Sequence, residues 1–284
     1  MNNIIQGDCL EEVEKLDSKS VDCVITSPPY WQLRDYGFPD QWGLEPTYQE
    51  YLEHLWSLMD EIYRVLKDTG TVWINLGDSY GNGSKSPRIN KGKLTSQELH
   101  NNRPDRNGEA AKCLLLIPHR FAIGCIDRGW ILRNDIIWAK RNGMPESVRD
   151  RFSKKHEFIF FFVKQQKYYF DLDGVREKIN SQSRTKILQP YESKYNEQEK
   201  GNAKSLSQIR QLKRSQGLPE GHINGKNPGD VSDFWDIPTQ PSSEKHYATF
   251  NTDLIDKPIV AGCPEGGVIL DPFCGTGKIG RAHV

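Results

Sequence analysis

The chain has 284 residues, enough for one large domain or for one domain carrying a sizeable insertion. Apolar residues make up 36% and aromatic residues 10%, which excludes a disordered chain, and a formal net charge of zero excludes a molecule drawn as a whole to polyanions. The six cysteines are scattered with no C-x-x-C pair, so the usual zinc spacing is excluded and no metal is expected. The start, MNNIIQGDC, is too polar for a secretory leader, and no apolar run reaches bilayer length. A cytoplasmic protein with reduced thiols and no membrane association is therefore expected.

In chain order, residues 9–16 predict a short helix that Asp8 can cap. Residues 21–25 form a strand-like run that stops at Thr26-Ser27-Pro28-Pro29. Thr47-x-x-Glu50 has the form of a capping box, and the apolar positions 48, 51, 52, 55, 58, 59, 62, 65 and 66 behind it follow the helical period. Gly70 is expected to stop that helix, and residues 71–76 to form a strand ending at Gly77-Asp78. Residues 113–126 predict a helix with Pro118 near its start, followed by strands at 130–138 and 156–164. The last of these is apolar on both faces, and such strands alternating with amphipathic helices predict an α/β fold on a parallel sheet. Order resumes at Phe234-Trp235-Asp236-Ile237-Pro238, and a strand at 268–270 leads into Asp271-Pro272-Phe273-Cys274-Gly275-Thr276-Gly277.

Two polar stretches interrupt this pattern. Residues 81–112 hold seven Lys/Arg against three Asp/Glu, and residues 176–227 hold eleven against five. Neither has the apolar content to bury a core, and on charge alone each suits a solvated insertion as well as a loop that orders on a polyanion.

Two motifs carry chemistry. Thr26-Ser27-Pro28-Pro29-Tyr30-Trp31 follows a strand, and in open α/β sheets ligands bind at the carboxyl ends of strands. The prolines fix the backbone, so the Pro28 carbonyl and the Ser27 hydroxyl stand as two rigid acceptors. Two acceptors suit the two hydrogens of an exocyclic NH2, and Tyr30 adds a face on which a planar base can stack. A lone Pro-Pro-Tyr would read more simply as a strand-ending turn; the whole string is what makes the chemical reading preferable. In the second motif, Asp271 to Gly277, a strand runs into a turn with two glycines, where backbone can approach a ligand closely. Lys278-Ile279 follows instead of Lys-Ser/Thr, so this is not a P-loop.

Together the two strings resemble the amino-methyltransferase family of DNA methylases, the N4-cytosine and N6-adenine enzymes, with the motif order of the beta arrangement. IIQGDCLEEV at the start, INLGDSYG at 74–81, MPESVRDRF at 144–152 and DIPTQPSSEKHYATFNTDLI at 236–255 also look like family segments. The resemblance implies a Rossmann-like class I S-adenosylmethionine-dependent methyltransferase fold, circularly permuted, with a mostly parallel sheet and an inserted target-recognition region. It implies a catalytic part at 1–175 with a DNA-side loop at 81–112, a target-recognition insertion at 176–233 and a cofactor-binding part at 234–284. Ser27 and the Pro28 carbonyl would hold the target amine, with Pro29 in the same catalytic string, and Tyr30 would stack on the flipped base. Asp271, Phe273, Gly275, Thr276 and Gly277 would wrap S-adenosyl-L-methionine, Phe250 would lie against it, Asp8 would reach its adenine, and Asp78 would sit near the pocket. The partner would be double-stranded DNA, contacted through the basic stretches, and a cognate restriction endonuclease would share the system without direct binding. The host would be a bacterial, archaeal or phage-infected cell.

Members with Ser before Pro-Pro-Tyr are more often N4-cytosine enzymes and those with Asp more often N6-adenine enzymes, so Ser27 points to cytosine, with adenine the alternative. The C5-cytosine route needs a Pro-Cys nucleophile, and no Pro-Cys dipeptide occurs. RNA or glutamine-amide methylation fits less well, because the glutamine enzymes carry Asn where this chain has Ser27. The segment after Gly277 does not resemble the family continuation, which carries an acidic residue for the ribose hydroxyls. The chain is therefore expected to be truncated at its C-terminus, and an inactive fragment with residual DNA binding is the competing expectation from another class.

Overall fold

The computed structural model describes residues 3–37, 40–81, 111–143, 145–175, 232–239 and 252–275. The chain separates into two units, Met1–Asp171 with Asp233–Val284, and Leu172–Ser232. The architecture below is that of the first.

Asp8 starts α1 (Cys9–Glu14) as expected, its Oδ1 accepting from the amides of Leu10 at 2.9 Å and Glu11 at 3.2 Å. β1 (Val21–Thr26) is buried along its whole length. The expected capping box opens α2 (Tyr48–Val65), with Thr47 Oγ1 accepting from the Glu50 amide at 3.1 Å and the Glu50 carboxylate accepting in return from the Thr47 amide. Every apolar position of the predicted stripe from Tyr48 to Val65 is buried. Arg64 on this helix donates to the carbonyls of Val13, Glu14 and Leu16, satisfying the orphan end of α1 and docking the two helices.

Gly70 does not stop α2. The helix ends at Val65, and the extended backbone of its C-cap Leu66 already begins β2 (Leu66–Leu76). The register with β1 jumps from Val21↔Leu66 to Cys23↔Thr71, so residues 67–70 bulge out of the ladder. A Cβ on Gly70 would lie 2.9 Å from the Asp22 carbonyl and 2.6 Å from Leu66, so the glycine is needed for close approach at the bulge.

The next helix, α3 (Ile117–Asp127), begins four residues later than the sequence suggested. Leu114 bridges Tyr80, Gly81 donates to the Cys113 carbonyl and Leu115 to that of Ser79, so this segment is extended against 79–81. Leu116 then takes φ +55°, and Pro118 opens the first turn. A Cβ on Gly124 would fall 2.3 Å from the Trp56 indole, which is how closely α3 crosses α2. β3 (Ile131–Ala139), β4 (His156–Val163) and β5 (Phe234–Asp236) follow. α4 (Thr252–Gly262), a helix the sequence reading did not mark and which contains Pro258, and β6 (Ile269–Leu270) complete the described elements.

The sheet order is β5-β3-β4-β2-β1-β6. β1 pairs parallel with β2 and β6, β3 parallel with β5, and β4 antiparallel with both neighbours, so β4 alone among the described strands runs backwards. The mostly parallel sheet expected from the sequence is thus present. Val24, Val72, Ile74, Phe160 and Phe162 turn to one face and form the core with α2 and α3. Trp73 and Phe161, paired across β2 and β4, stack with ring centroids 4.0 Å apart. On the α4 side, Ile25, Trp73 and Ile159 share a small apolar crevice with Leu254, Ile255 and Pro258.

Candidate active site at the carboxyl edge of the sheet

β1 and β2 end side by side, and reversed β4 starts at the same edge, so Ser27, Asn75 and Glu157 are brought together from three strands. The string after β1 is held rigidly. The hydroxyl of buried Tyr51 on α2 donates to the Pro29 carbonyl at 2.8 Å, and the Leu33 amide donates to the Tyr30 carbonyl at 3.2 Å. Buried Trp31 anchors the next turn by donating from Nε1 to the Glu45 carbonyl at 2.9 Å. Of the three successive carbonyls of Pro28, Pro29 and Tyr30, only that of Pro28 receives no hydrogen bond among the described residues.

Ser27 Oγ lies 3.3 Å from Asn75 Oδ1 and donates to it. The half-buried Tyr30 ring packs directly against Gly77, where a Cβ would come within 2.5 Å of its Cε2. Its hydroxyl sits 2.9 Å from Asn75 Oδ1 and 2.7 Å from Glu157 Oε2. Burial, joined by the Glu157 charge, holds the Tyr30 phenol well above its ordinary range, so it remains a donor. The Asn75 amide nitrogen donates to the Phe158 carbonyl at 3.1 Å and, more weakly, to Glu157 Oε2 at 3.4 Å. Lys140, just past β3, pairs with Glu157 Oε1.

A second cluster lies where β6 ends beside β1. Thr26 Oγ1 donates to Asp271 Oδ1 at 2.6 Å, and the Phe273 amide donates to the same oxygen at 3.1 Å. Oδ2 of Asp271 has no hydrogen bond among the described residues. Burial pushes the Asp271 carboxyl up to about 6, against the two hydrogen bonds, which lower it. The Phe273 ring meets Trp42 edge-on at a centroid distance of 5.5 Å, and Trp42 Nε1 donates to Asp8 Oδ2 at 3.2 Å. Asp8 therefore caps α1 with one oxygen and joins this aromatic cluster with the other. Gly275 takes φ +51°, the left-handed region that favours glycine.

The structure thus gathers Ser27, Pro28, Pro29 and Tyr30 in one place and Asp8, Asp271 and Phe273 in a neighbouring one. Phe250, Thr276 and Gly277, the stretches 82–110 and 176–231, and the segment after Gly277 lie outside the described residues. Asp78 follows Gly77, which packs against Tyr30. Its carboxylate accepts from the amides of Leu116 and Ile117 and supplies the N-cap that Leu116 cannot give α3. The sequence reading missed Asn75, Glu157 and Lys140. The available signals were a lone amide in the apolar run 71–76 and a carboxylate heading the aromatic run 156–163. Among the described residues no cluster of His, Cys, Asp or Glu could hold a metal ion, and no helix is long and apolar enough to cross a membrane.

A family model described as DNA methylase, covering the N6 and N4 enzymes, matches residues 21–283. The type II methyltransferase M.Cfr9I of Citrobacter freundii is 36% identical over 98% of this chain and 78% of its own length. M.SmaI of Serratia marcescens, also a type II methyltransferase, is 36% identical over 98% of this chain and 80% of its own. Among solved structures, the cytosine-N4-specific PvuII DNA methyltransferase superposes with a TM-score of 0.58 at 17% identity, over 97% of this chain and 75% of that one. A Thermus thermophilus protein in complex with S-adenosyl-L-methionine gives a TM-score of 0.50 at 21% identity, over 97% and 82%.

Proposed function

Since the chain belongs to the N6/N4 DNA methylase family, we propose that it transfers a methyl group from S-adenosyl-L-methionine to the exocyclic N4 of cytosine in double-stranded DNA. The observation that carries methylation of an exocyclic amine is the pair of acceptors at the end of β1, and Ser27 rather than Asp before Pro-Pro-Tyr is what favours cytosine over adenine. Ser27 Oγ has its own proton directed to Asn75 and its lone pairs available, and the neighbouring Pro28 carbonyl has no hydrogen bond among the described residues. An NH2 group that donates one hydrogen to each acceptor is held in place. Its nitrogen is favoured in the pyramidal form, in which the lone pair is no longer delocalised into the ring. The base is unreachable inside a duplex, so it must be extruded into the site. There the Tyr30 ring, backed by Gly77, offers it a stacking face.

The second cluster fits the cofactor. An amino-acid ammonium suits Oδ2 of Asp271, which has no hydrogen bond among the described residues, and the Trp42–Phe273 pair with Asp8 suits a planar base and its polar edge. Gly275 lets backbone approach, and Phe250, Thr276 and Gly277 would complete the wrap. The bound cofactor supplies a methyl group already activated on a sulfonium, so the protein's contribution is mainly orientation and exclusion of water. Residues 176–233 would read the sequence, with Lys and Arg on phosphates and other side chains on base edges. The type II names of the relatives support a role in a restriction–modification system, in which a cognate endonuclease would act without binding this chain.

Nucleoside mass spectrometry of DNA from cells expressing the chain tests this, with Ser27→Ala as control. N4-methylcytosine that disappears in the control is expected. N6-methyladenine would keep the family and overturn the base, and neither product would favour the inactive-fragment reading.

A further inference from the structure

Resting on that reading, we infer that Phe152 enters the base stack of the DNA beside the extruded base and occupies the gap it leaves. Phe152 is 96% exposed, more than any other large apolar side chain among the described residues. A single exposed apolar residue is ordinary on a protein surface. What sets this one apart is its fixed place on the rim that holds Ser27. Ala139 and His156 pair at the ends of β3 and β4, so the link between them rises from the edge where β1 and β2 also end. The residues around Phe152 are fastened down. The Arg151 guanidinium lies 3.9 Å over the Tyr80 ring, and it donates to Glu146 Oε2 at 2.6 Å and to the carbonyl of Phe152 itself at 3.0 Å. The same Glu146 oxygen accepts from the Lys154 amide at 3.4 Å, and the Lys154 ammonium donates to the Asp78 carbonyl. Asp78 follows Gly77, the residue against which Tyr30 packs. Two residues, at most about 7 Å of backbone, therefore separate Phe152 from a tether to the segment that backs the base-stacking ring.

The surrounding charge selects the occupant. Residues 145–155 hold four Lys/Arg against two Asp/Glu. Both acidic groups are already matched, Glu146 by Arg151 and Asp150 by Lys112, which leaves the segment with a cationic excess. Cations around one apolar ring suit a duplex, with phosphates outside and flat base faces within. An extruded base uncovers such faces, and an aromatic ring stacks on them whatever the neighbouring sequence. Apolar side chains inserted at a base step also hold the stack open. Because the segment is held before DNA arrives, little ordering has to be done on binding. No bond is made or broken in this role; Phe152 lowers the cost of extrusion and slows the return of the base.

The test is single-turnover methylation by the full-length chain with saturating S-adenosylmethionine. The substrate is a duplex carrying the sequence found methylated in DNA from expressing cells. Phe152→Ala is expected to lower the rate by roughly 10-fold on this duplex. With the target base mispaired, extrusion costs less, and the loss is expected to shrink to less than about threefold. Phe152→Leu keeps an apolar wedge and should stay within about threefold of the wild type on the paired duplex. Denaturant unfolding of the free protein, and cofactor affinity by calorimetry, should be unchanged by either substitution, because the ring is exposed. A Phe152→Ala chain as fast as the wild type on paired DNA, or equal losses on paired and mispaired DNA, would overturn the inference while leaving the methyltransferase reading intact. So would a loss of stability, which would make Phe152 a part of the fold. A wild-type chain that methylates no DNA would overturn the reading itself, and this inference with it.

Discussion

The Tyr30 ring has little freedom to move, and Gly77→Ala exposes the consequence. The added Cβ would stand 2.5 Å from Cε2, 2.8 Å from Cδ2 and 3.3 Å from Cζ of the ring. Carbon atoms in contact prefer about 3.5–4.0 Å, so the ring must retreat by about 1 Å. Its hydroxyl is tied to Glu157 at 2.7 Å and Asn75 at 2.9 Å, and a displacement of that size takes at least one of these bonds beyond hydrogen-bonding distance. A hydrogen bond to a charged partner contributes about 1.5–3 kcal/mol, so a stability loss of about 2 kcal/mol is expected. Misplacement by about 1 Å at a reacting centre costs on the order of 10²-fold in rate, and the same is expected of methyl transfer. Denaturant unfolding measures the first effect and single-turnover methylation the second. Cofactor affinity should not change, because Asp271 and Phe273 lie in the other cluster. A variant that keeps its stability and stays within about twofold of the wild-type rate would refute this account of the Tyr30 site.

Tyr51→Phe removes the donor to the Pro29 carbonyl, and about 1–2 kcal/mol of stability should be lost in denaturant titrations together with part of the methylation rate; an unchanged rate would show that the loop needs no such tether. For Asp271 the sign follows from its raised pKa, about 6 against 3.8 ordinarily. The fold favours the protonated carboxyl, so this contribution to stability is fully present below about pH 4 and is lost as pH rises through about 6, by at most about 3 kcal/mol. In the cofactor-free protein, Asp271→Asn should therefore gain on the wild type between pH 4 and pH 8, and a difference independent of pH in urea titrations would contradict the burial of that carboxyl.

What the sequence made legible was local. The Thr47–Glu50 box and the stripe behind it, the Asp8 cap and the strand before Ser27 depend on neighbours a few residues apart, and each is found in the structure. Gly70 and residues 113–116 were misjudged because their conformations answer to distant partners, the Asp22 carbonyl in one case and the extended 79–81 backbone in the other. The helix containing Pro258 was hidden by a residue that normally argues against one. Within the site, the two motifs could be read directly, whereas Asn75, Glu157 and Lys140 could not. Their meeting depends on β4 lying between β3 and β2, and strand order is not written in chain order.

The reversal of β4 has a further consequence. Because that strand runs against its neighbours, the link from β3 must leave and re-enter the sheet on the side where β1, β2 and β6 also release their chains. The connections that follow β1, β2, β3 and β6 therefore all open over one rim, whereas β4 ends and β5 begins at the opposite one. A chain organised in this way can lengthen, shorten or exchange what it presents to a substrate without disturbing a single strand pairing, so new sequence preferences can be grafted onto a constant chemical floor.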